Sequence, residues 1–133
     1  MKRPNPKLVL AELETLVMKE VWKRRRATVH EVRGALRGKR DLAYTTILTT
    51  LRNLEKKGFL AHEVDGRSHV YVPRVEEGAV RQSTLRTLLD NLFDGSKVRL
   101  VQTLFEEEPL SPEEYESLRR TIRALRGKDQ KDD

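Results

Sequence analysis

The sequence predicts a mostly α-helical chain whose two parts differ in charge. Apolar residues recur at helical spacing in six segments, and two β-prone segments flank an Asp-Gly turn between the third and fourth helices. Residues 1–75 carry 17 Lys and Arg against 8 Asp and Glu, a net charge of +9, whereas residues 76–133 carry 10 against 13, a net charge of −3. We therefore expect a domain over residues 1–75 that meets a polyanion, a helical domain over residues 76–126 and a disordered tail over residues 127–133.

The composition excludes several kinds of protein. The 133 residues include no cysteine, so the sequence excludes disulfides, thiolate metal sites and cysteine nucleophiles. No window approaches 18 consecutive apolar residues, and prolines and glutamates interrupt the basic N-terminal segment. The sequence therefore predicts neither a membrane span nor a signal peptide, and we expect a cytoplasmic protein.

The first two helices are short and amphipathic. An apolar stripe predicts the first helix over residues 9–24, with Trp22 in the core and a cluster of cations in the last turn that complements the helix dipole. Thr28 and Glu31 have the spacing of a capping box, which starts the second helix. Gly38 is expected to end that helix in a left-handed conformation.

The third helix, within residues 42–58, has an unusual outer face. Its apolar side consists of Ile47, Leu51 and Leu54. Its other side presents hydroxyl, amide and cationic groups: Thr45, Thr46, Thr49, Arg52, Asn53 and Lys56. Threonine is a poor helix former, so three exposed threonines are costly without a function. Either Asp41 or Ala43 caps this helix.

Two β-prone segments, residues 59–64 and 69–72, flank Asp65-Gly66-Arg67-Ser68, which predicts a β-hairpin that Pro73 closes. Three helices followed by a hairpin wing is the order of a winged helix-turn-helix domain, whose second helix of the pair reads the major groove of DNA. At the hairpin tip, Arg67 is expected to enter a minor groove or pair with phosphate. The expected DNA contacts are Tyr44, Thr45, Thr46, Thr49, Arg52, Asn53, Lys56 and Arg67.

Three further helices follow, with Gly95 ending the fourth, Ser96 capping the fifth and Ser111 capping the sixth. They are too small to form an independent core, so their apolar stripes need a partner. We expect a homodimer; the alternative is that these helices fold back onto the first half. The expected dimerisation residues are Leu85, Leu88, Leu89, Leu92, Val101, Leu104, Phe105, Tyr115, Leu118, Ile122 and Leu125.

Residues with catalytic or metal-binding chemistry do not form a site. His30, His62 and His69 have no metal-ligand spacing, although His62 and His69 can face each other across the hairpin. The glutamates at 106–108 and 113–114 lie in a loop and in the first turn of a helix. With no phosphate loop and no nucleophile–base pair, we expect no cofactor, no metal and no enzyme activity.

Taken together, these motifs resemble those of the penicillinase-repressor family, winged-helix regulators that include methicillin-resistance and copper-responsive repressors. The pattern LxxLExxVMxxVW from Leu10 resembles the family's first helix and ATVxEV from Ala27 its second. LAYTTIxTxLxxLxxKG from Leu42 resembles its recognition helix. Leu100-Val101 and LSxxExxxLR from Leu110 fit its dimerisation region.

The resemblance implies a dimeric transcriptional repressor that binds a palindromic operator and controls antibiotic (β-lactam) response genes. It also implies relief of repression by proteolysis in the fifth helix, downstream of a membrane sensor. Thr103-Leu104 stands where well-known members have an Asn-Phe scissile pair. The copper-responsive branch uses a cysteine-rich metal site, which a chain without cysteine cannot form.

Other functions are also compatible with a winged helix. The domain can serve as a protein-interaction module, although an acidic or apolar third helix would suit that function better than this hydroxyl-rich, basic one. A membrane-surface protein would require an aromatic-edged amphipathic helix. Activation of transcription remains an alternative to repression, because the position of the operator is not encoded here.

Overall fold

The computed structural model describes residues 10–131, with side chains to residue 127, and confirms a mostly α fold. None of the helices in that range is long and apolar enough to cross a membrane. The described elements are α1 Glu12–Arg24, α2 Val29–Leu36, α3 Tyr44–Lys56, β1 Leu60–Asp65, β2 Ser68–Pro73, α4 Glu77–Leu92, α5 Lys97–Leu104 and α6 Pro112–Lys131.

The chain forms two compact units, one ending at Leu88 and the other beginning at Leu89. In the first unit, α1, α2, α3 and the hairpin enclose one apolar core. Trp22 belongs to it as predicted, and its indole N–H donates to the carbonyl of Val75 at 2.8 Å. The most deeply buried side chains are Val17, Met18, Val21, Val32, Leu36, Ile47, Leu51, Leu54, Phe59, Leu60 and Tyr71.

The start of α2 is confirmed, and its predicted stop is wrong. The Thr28 hydroxyl accepts from the Glu31 amide at 3.2 Å, and the Glu31 carboxylate accepts from the Thr28 amide at 2.9 Å. Gly38 does not have a positive φ. The amides of Lys39 and Arg40 instead both donate to the carbonyl of Leu36, so a right-handed turn satisfies the helix end without a left-handed residue.

The hairpin pairs β1 with β2 in antiparallel register from Leu60↔Pro73 to Asp65↔Ser68. Gly66 and Arg67 form the two-residue tip, and Gly66 has φ 63°, which glycine adopts without strain. The base of the hairpin is tied to the loop after α1, because the backbones of Ala27 and Tyr71 exchange hydrogen bonds of 3.0 and 2.8 Å. The hairpin therefore has a third, short pairing partner.

The first unit extends past residue 75 into α4. Arg25 makes two hydrogen bonds to the Glu76 carboxylate, of 3.1 and 3.2 Å, and the Lys19 ammonium lies 3.5 Å from the Glu77 carboxylate. Val80 is buried in the same core cluster as α1. The beginning of α4 is thus attached to α1 by both apolar and ionic contacts.

The second unit contains the end of α4, α5 and α6. Asp94 and Gly95 both have positive φ, and the Gly95 amide donates to the carbonyl of Leu89 at 2.9 Å, which ends α4. The predicted caps are confirmed, because the hydroxyls of Ser96 and Ser111 accept amides three residues ahead. The sequence predicts a disordered tail from residue 127, whereas α6 continues to Lys131, since no proline interrupts it.

A partly buried ion pair connects the ends of α1 and α3. Glu14 is only 8% exposed; its carboxylate accepts from the Lys57 ammonium at 2.7 Å and from the Ala11 amide at 3.1 Å. Lys57 directly follows α3, so this contact fixes the end of the hydroxyl-rich helix relative to α1.

We expect Lys57→Ala to lower the free energy of unfolding of the first unit by about 1 kcal/mol, because it removes a charged partner from a buried carboxylate while solvent partly screens the pair. Lys56→Ala, at an exposed neighbour without an ion pair, is the matched control and should change stability by less than about 0.5 kcal/mol. Urea unfolding followed by the fluorescence of Trp22, the single tryptophan, measures both. Equal midpoints for the two variants would contradict the assignment.

Candidate nucleic-acid interface

The outer face of α3 is presented to solvent because its other face is completely buried. Ile47, Leu51 and Leu54 are each 0% exposed. Thr50 is also buried, and its hydroxyl donates to the carbonyl of Thr46 at 2.8 Å. Thr46 itself is half-buried. The exposed residues of the helix that were predicted to contact DNA are Tyr44, Thr45, Thr49, Arg52, Asn53 and Lys56.

A hydrogen bond connects α2 to the turn that precedes α3. The guanidinium of Arg33 on α2 donates to the carbonyl of Leu42 at 2.9 Å. Ala43, one of the two predicted caps, is the N-cap residue and has extended backbone, with no side-chain cap hydrogen bond. The Arg33 contact therefore satisfies a carbonyl of the turn, while the first amides of α3 have no side-chain acceptor at the N-cap.

A cleft of about 340 Å³ lies where α2, α3 and the hairpin tip meet. It brings together three of the predicted DNA contacts, Tyr44, Arg52 and Arg67. Thr45, Thr49, Asn53 and Lys56 do not line this cleft. We define the interaction cleft by its full lining: Thr28, Val29, His30, Tyr44, Leu48, Arg52, Arg67, Ser68 and His69.

Four polar residues of the interaction cleft were not predicted as contacts: Thr28, His30, Ser68 and His69. His30 contacts the recognition helix, since its ring centroid is 4.8 Å from that of Tyr44. His69 follows Arg67 by two residues, so its proximity to the predicted hairpin tip is the signal that could have indicated it. No local sequence signal indicates the position of His30, because it depends on how α2 packs beside α3.

Most cations of the cluster at residues 23–26 are neutralised locally. Arg24, Arg25 and Arg26 lie 3.8, 3.1 and 3.6 Å from the carboxylates of Glu31, Glu76 and Glu63. The hydrogen bond from Arg25 lowers the pKa of Glu76, and the same contact raises the pKa of Arg25. Within residues 10–127, no carboxylate forms an ion pair with Arg52, Lys56 or Arg67. The uncompensated positive charge therefore includes α3 and the hairpin tip.

Arg52 is positioned beside a buried tyrosine of the hairpin. Burial raises the pKa of Tyr71, and the Arg52 guanidinium, through its charge and a hydrogen bond to the tyrosine, partly opposes that rise. Tyr71 is also the residue whose backbone pairs with Ala27. The Arg52 guanidinium is therefore held against a residue whose backbone is paired with the loop after α1.

The predicted facing of His62 and His69 across the hairpin is confirmed, with ring centroids 4.5 Å apart and planes 8° from parallel. His62 Nδ1 lies 2.6 Å from the Glu55 carboxylate, which connects the hairpin to α3. No group of three or more histidine or acidic side chains within the described range is arranged to hold a metal ion.

Three helices, a tied hairpin and an exposed helix of hydroxyl, amide and cationic groups define a winged helix-turn-helix protein. The profile of the penicillinase repressor family matches residues 10–124. The chain belongs to that family.

The chain is similar to several named repressors and regulators. The penicillinase repressor of Bacillus licheniformis is 34% identical over 113 residues, which cover 85% of this chain and 87% of the relative. The methicillin resistance regulatory protein MecI of Mammaliicoccus sciuri is 28% identical over 118 residues, covering 89% of this chain and 96% of the relative. The solution structure of the DNA binding domain of the repressor BlaI matches with a TM-score of 0.48 and 35% identity, covering 58% of this chain and 90% of that one.

We expect acid to destabilise the start of α2, which borders the interaction cleft. The Thr28 amide lowers the pKa of Glu31 below its ordinary value of 4.5, so the folded state favours the carboxylate. The stability that this contributes is present above pH 4.5 and is lost as the pH falls through the lower pKa of the folded state.

In the Glu31→Gln variant the glutamine can still accept from the Thr28 amide, but it does not titrate. The free energy of unfolding of this variant should therefore fall less between pH 5 and pH 3 than that of the wild type. Urea midpoints across that range, followed by Trp22 fluorescence, measure the difference. Parallel curves for the two proteins would mean that Glu31 does not contribute.

Proposed function

We propose that this chain represses transcription by binding a palindromic operator as a homodimer, with α3 in the major groove and the hairpin tip against the flanking DNA. The observation that carries this proposal is the outer face of α3, where the exposed groups are hydroxyls, amides and cations. The acidic residue of the helix, Glu55, is instead half-buried and bonded to His62. A face without free carboxylates can approach both phosphates and base edges.

Each exposed group of α3 suits a particular kind of DNA contact. Arg52 and Asn53 can make forked hydrogen bonds to guanine and adenine edges, and the threonines Thr45 and Thr49 can contact thymine methyl groups or phosphates. Lys56, at the C-terminal end of the helix, suits a phosphate contact. Arg67 adds a cation from the hairpin, as expected for a wing in the minor groove or on the backbone.

Family membership supports repression as the outcome of binding. The relatives are named as a penicillinase repressor and a methicillin resistance regulatory protein, and the family consists of transcriptional repressors rather than enzymes. We infer that the target genes of this chain belong to a β-lactam response. We also propose a cytoplasmic location, because a protein that binds an operator acts in the compartment that holds the DNA.

Exposed apolar side chains support the homodimer. Of the eleven large apolar side chains exposed in residues 10–127, nine lie between Leu85 and Leu125. The helix α5 buries none of its own residues, and Leu89 is the single buried apolar residue of the second unit within the described side chains. Leu89 already packs within its own chain, so we leave it out of the interface. The proposed interface residues are Leu85, Leu88, Leu92, Val101, Leu104, Phe105, Tyr115, Leu118, Ile122 and Leu125.

Proteolysis at Thr103-Leu104 would end repression by separating α6 from the rest of the chain. Thr103 lies in the last turn of α5, where its hydroxyl donates to the carbonyl of Arg99 at 2.9 Å, and Leu104 is 62% exposed. Cleavage here would remove Tyr115, Leu118 and Ile122 from the interface. Immunoblots before and after β-lactam exposure test this step, and an unchanged full-length band would argue against it.

Operator binding can be tested directly by gel shift of the full chain on the promoter of its own gene and of neighbouring genes, with unrelated DNA as the comparison, followed by footprinting. We expect a protected site with two-fold symmetry. Equal binding to all DNA that disappears with salt would mean that the positive charge acts only as a non-specific patch.

Arg52→Ala should weaken operator binding by about 1–3 kcal/mol, because it removes a forked base contact, and leave the dimer intact. Arg120→Ala is the matched control, because Arg120 is exposed on the side of α6 opposite Leu118 and Ile122. This variant should bind the operator as tightly as the wild type. Anisotropy titrations measure binding, and sedimentation measures the dimer. Unchanged binding by the Arg52 variant would show that another face of α3 enters the groove.

Ile122→Glu should convert the dimer into a monomer and reduce operator affinity, because it places a charge in an apolar interface. Ala124→Glu adds the same charge on the opposite side of α6 and should remain dimeric. Sedimentation velocity distinguishes the two variants. A dimeric Ile122 variant would move the interface away from α6.

A further inference from the structure

The interaction cleft collects positive and ionisable side chains from three elements. His30 comes from α2, Arg52 from α3, and Arg67 and His69 from the hairpin. The hydroxyls of Thr28 and Ser68 also line it, and none of the lining residues is acidic. A volume of about 340 Å³ accommodates a phosphate group with its waters.

The carboxylates closest in sequence to His30 have other partners. Glu31 accepts from the Thr28 amide and lies 3.8 Å from the Arg24 guanidinium. From α3, the ring facing His30 is that of Tyr44, and the charged group that shares the cleft is Arg52. The positive charge that His30 gains on protonation would therefore remain uncompensated in the free protein.

The surroundings of His69 lead to the same result. The ring of His69 stacks on that of His62. The Glu55 carboxylate lies 2.6 Å from His62 Nδ1, so its partner is His62 and not His69. The ring centroid of Tyr71 is 6.1 Å from the ring centroid of His62. On the hairpin, Glu63 pairs with Arg26, and Asp65 does not line the cleft.

We propose that the interaction cleft binds a phosphodiester group of the DNA backbone, and that protonation of His30 and His69 strengthens this contact, so that DNA affinity rises as the pH falls. This proposal rests on the proposed function. The guanidinium of Arg67 supplies a contact that does not depend on pH, since arginine stays protonated. Histidine changes charge between pH 5 and 8 and supplies the dependent part.

Because phosphate contacts carry no sequence information, the effect differs from a change in base recognition. Affinities for the operator and for unrelated DNA should rise together as the pH falls, and their ratio should stay nearly constant. In this respect the cleft would set how strongly the protein holds DNA and leave the choice of sequence to α3.

Anisotropy titrations of the full chain test this, using a fluorescent operator duplex and an unrelated duplex between pH 6 and pH 8 at constant ionic strength. A histidine whose pKa rises by one unit on binding an anion increases affinity by about fivefold over this range. His30→Gln and His69→Gln should each reduce the increase, and the double variant should abolish it, so that its affinity is the same at pH 6 and at pH 8.

His62→Gln is the matched control, since His62 does not line the cleft; its affinity should still increase as the pH falls. For Arg67→Ala measured at pH 8, the slope of log affinity against log salt concentration should decrease in magnitude by about 1, the equivalent of one lost phosphate contact. The fluorescence of Trp22 confirms that each variant is folded.

An increase in affinity that survives in the double histidine variant would overturn the proposal, while operator preference by the same variant would leave repression standing. Absence of operator preference at every pH would instead overturn the proposed function. In that case the unrelated duplex still tests the phosphate-binding proposal. Loss of the pH-dependent increase in affinity in the double histidine variant would support the proposal, and an increase that persists would refute it.

Discussion

Every functional feature of the first unit depends on the burial of one side of α3. Ile47, Leu51 and Leu54 are completely removed from solvent, which leaves the helix no freedom to rotate without exposing apolar surface. The hydroxyl and cationic side is therefore held outward by the core and not by its own interactions. The ion pair between Glu14 and Lys57 adds a directional contact at the far end of the helix. Packing in the interior thus determines which groups α3 presents to solvent.

The net charge of residues 1–75 correctly indicated a nucleic-acid partner, although not all of that positive charge is available to DNA. The arginines at residues 24–26 make up a large part of the excess in the first half, yet each has a carboxylate within 4.0 Å. They connect α1 to α2, to the hairpin and to α4, and surface pairs of this kind contribute little stability singly. The charge available to a polyanion includes Arg52 and Arg67, for which no ion pair is found among the described side chains.

Much of the fold could be predicted from the sequence because its signals are local. Capping residues, apolar spacing and an Asp-Gly turn each act within a few residues, and the helices and hairpin follow them. Gly38 was misjudged because a right-handed turn satisfied the same carbonyl. The interaction cleft was only partly predictable: Arg52 and Arg67 have a suggestive chemistry, whereas His30 joins them only through tertiary packing. Leu89 likewise looks like its neighbours in the stripe but is buried within the chain.

The backbone pairing between Ala27 and Tyr71 has a consequence for how the hairpin opens. A two-stranded hairpin alone is marginal in water, and the pairing of Ala27 with Tyr71, which lies in the third pair from the open end of the ladder, adds a further backbone segment that holds β2 there. Amide protons at the base, those of Ala27 and Tyr71 included, should then exchange with solvent only when the whole first unit unfolds, whereas amides at the Gly66-Arg67 tip exchange through local motion. The hairpin is thus anchored to the first unit at Tyr71, while Asp65↔Ser68 is the last pair that closes the ladder at its tip.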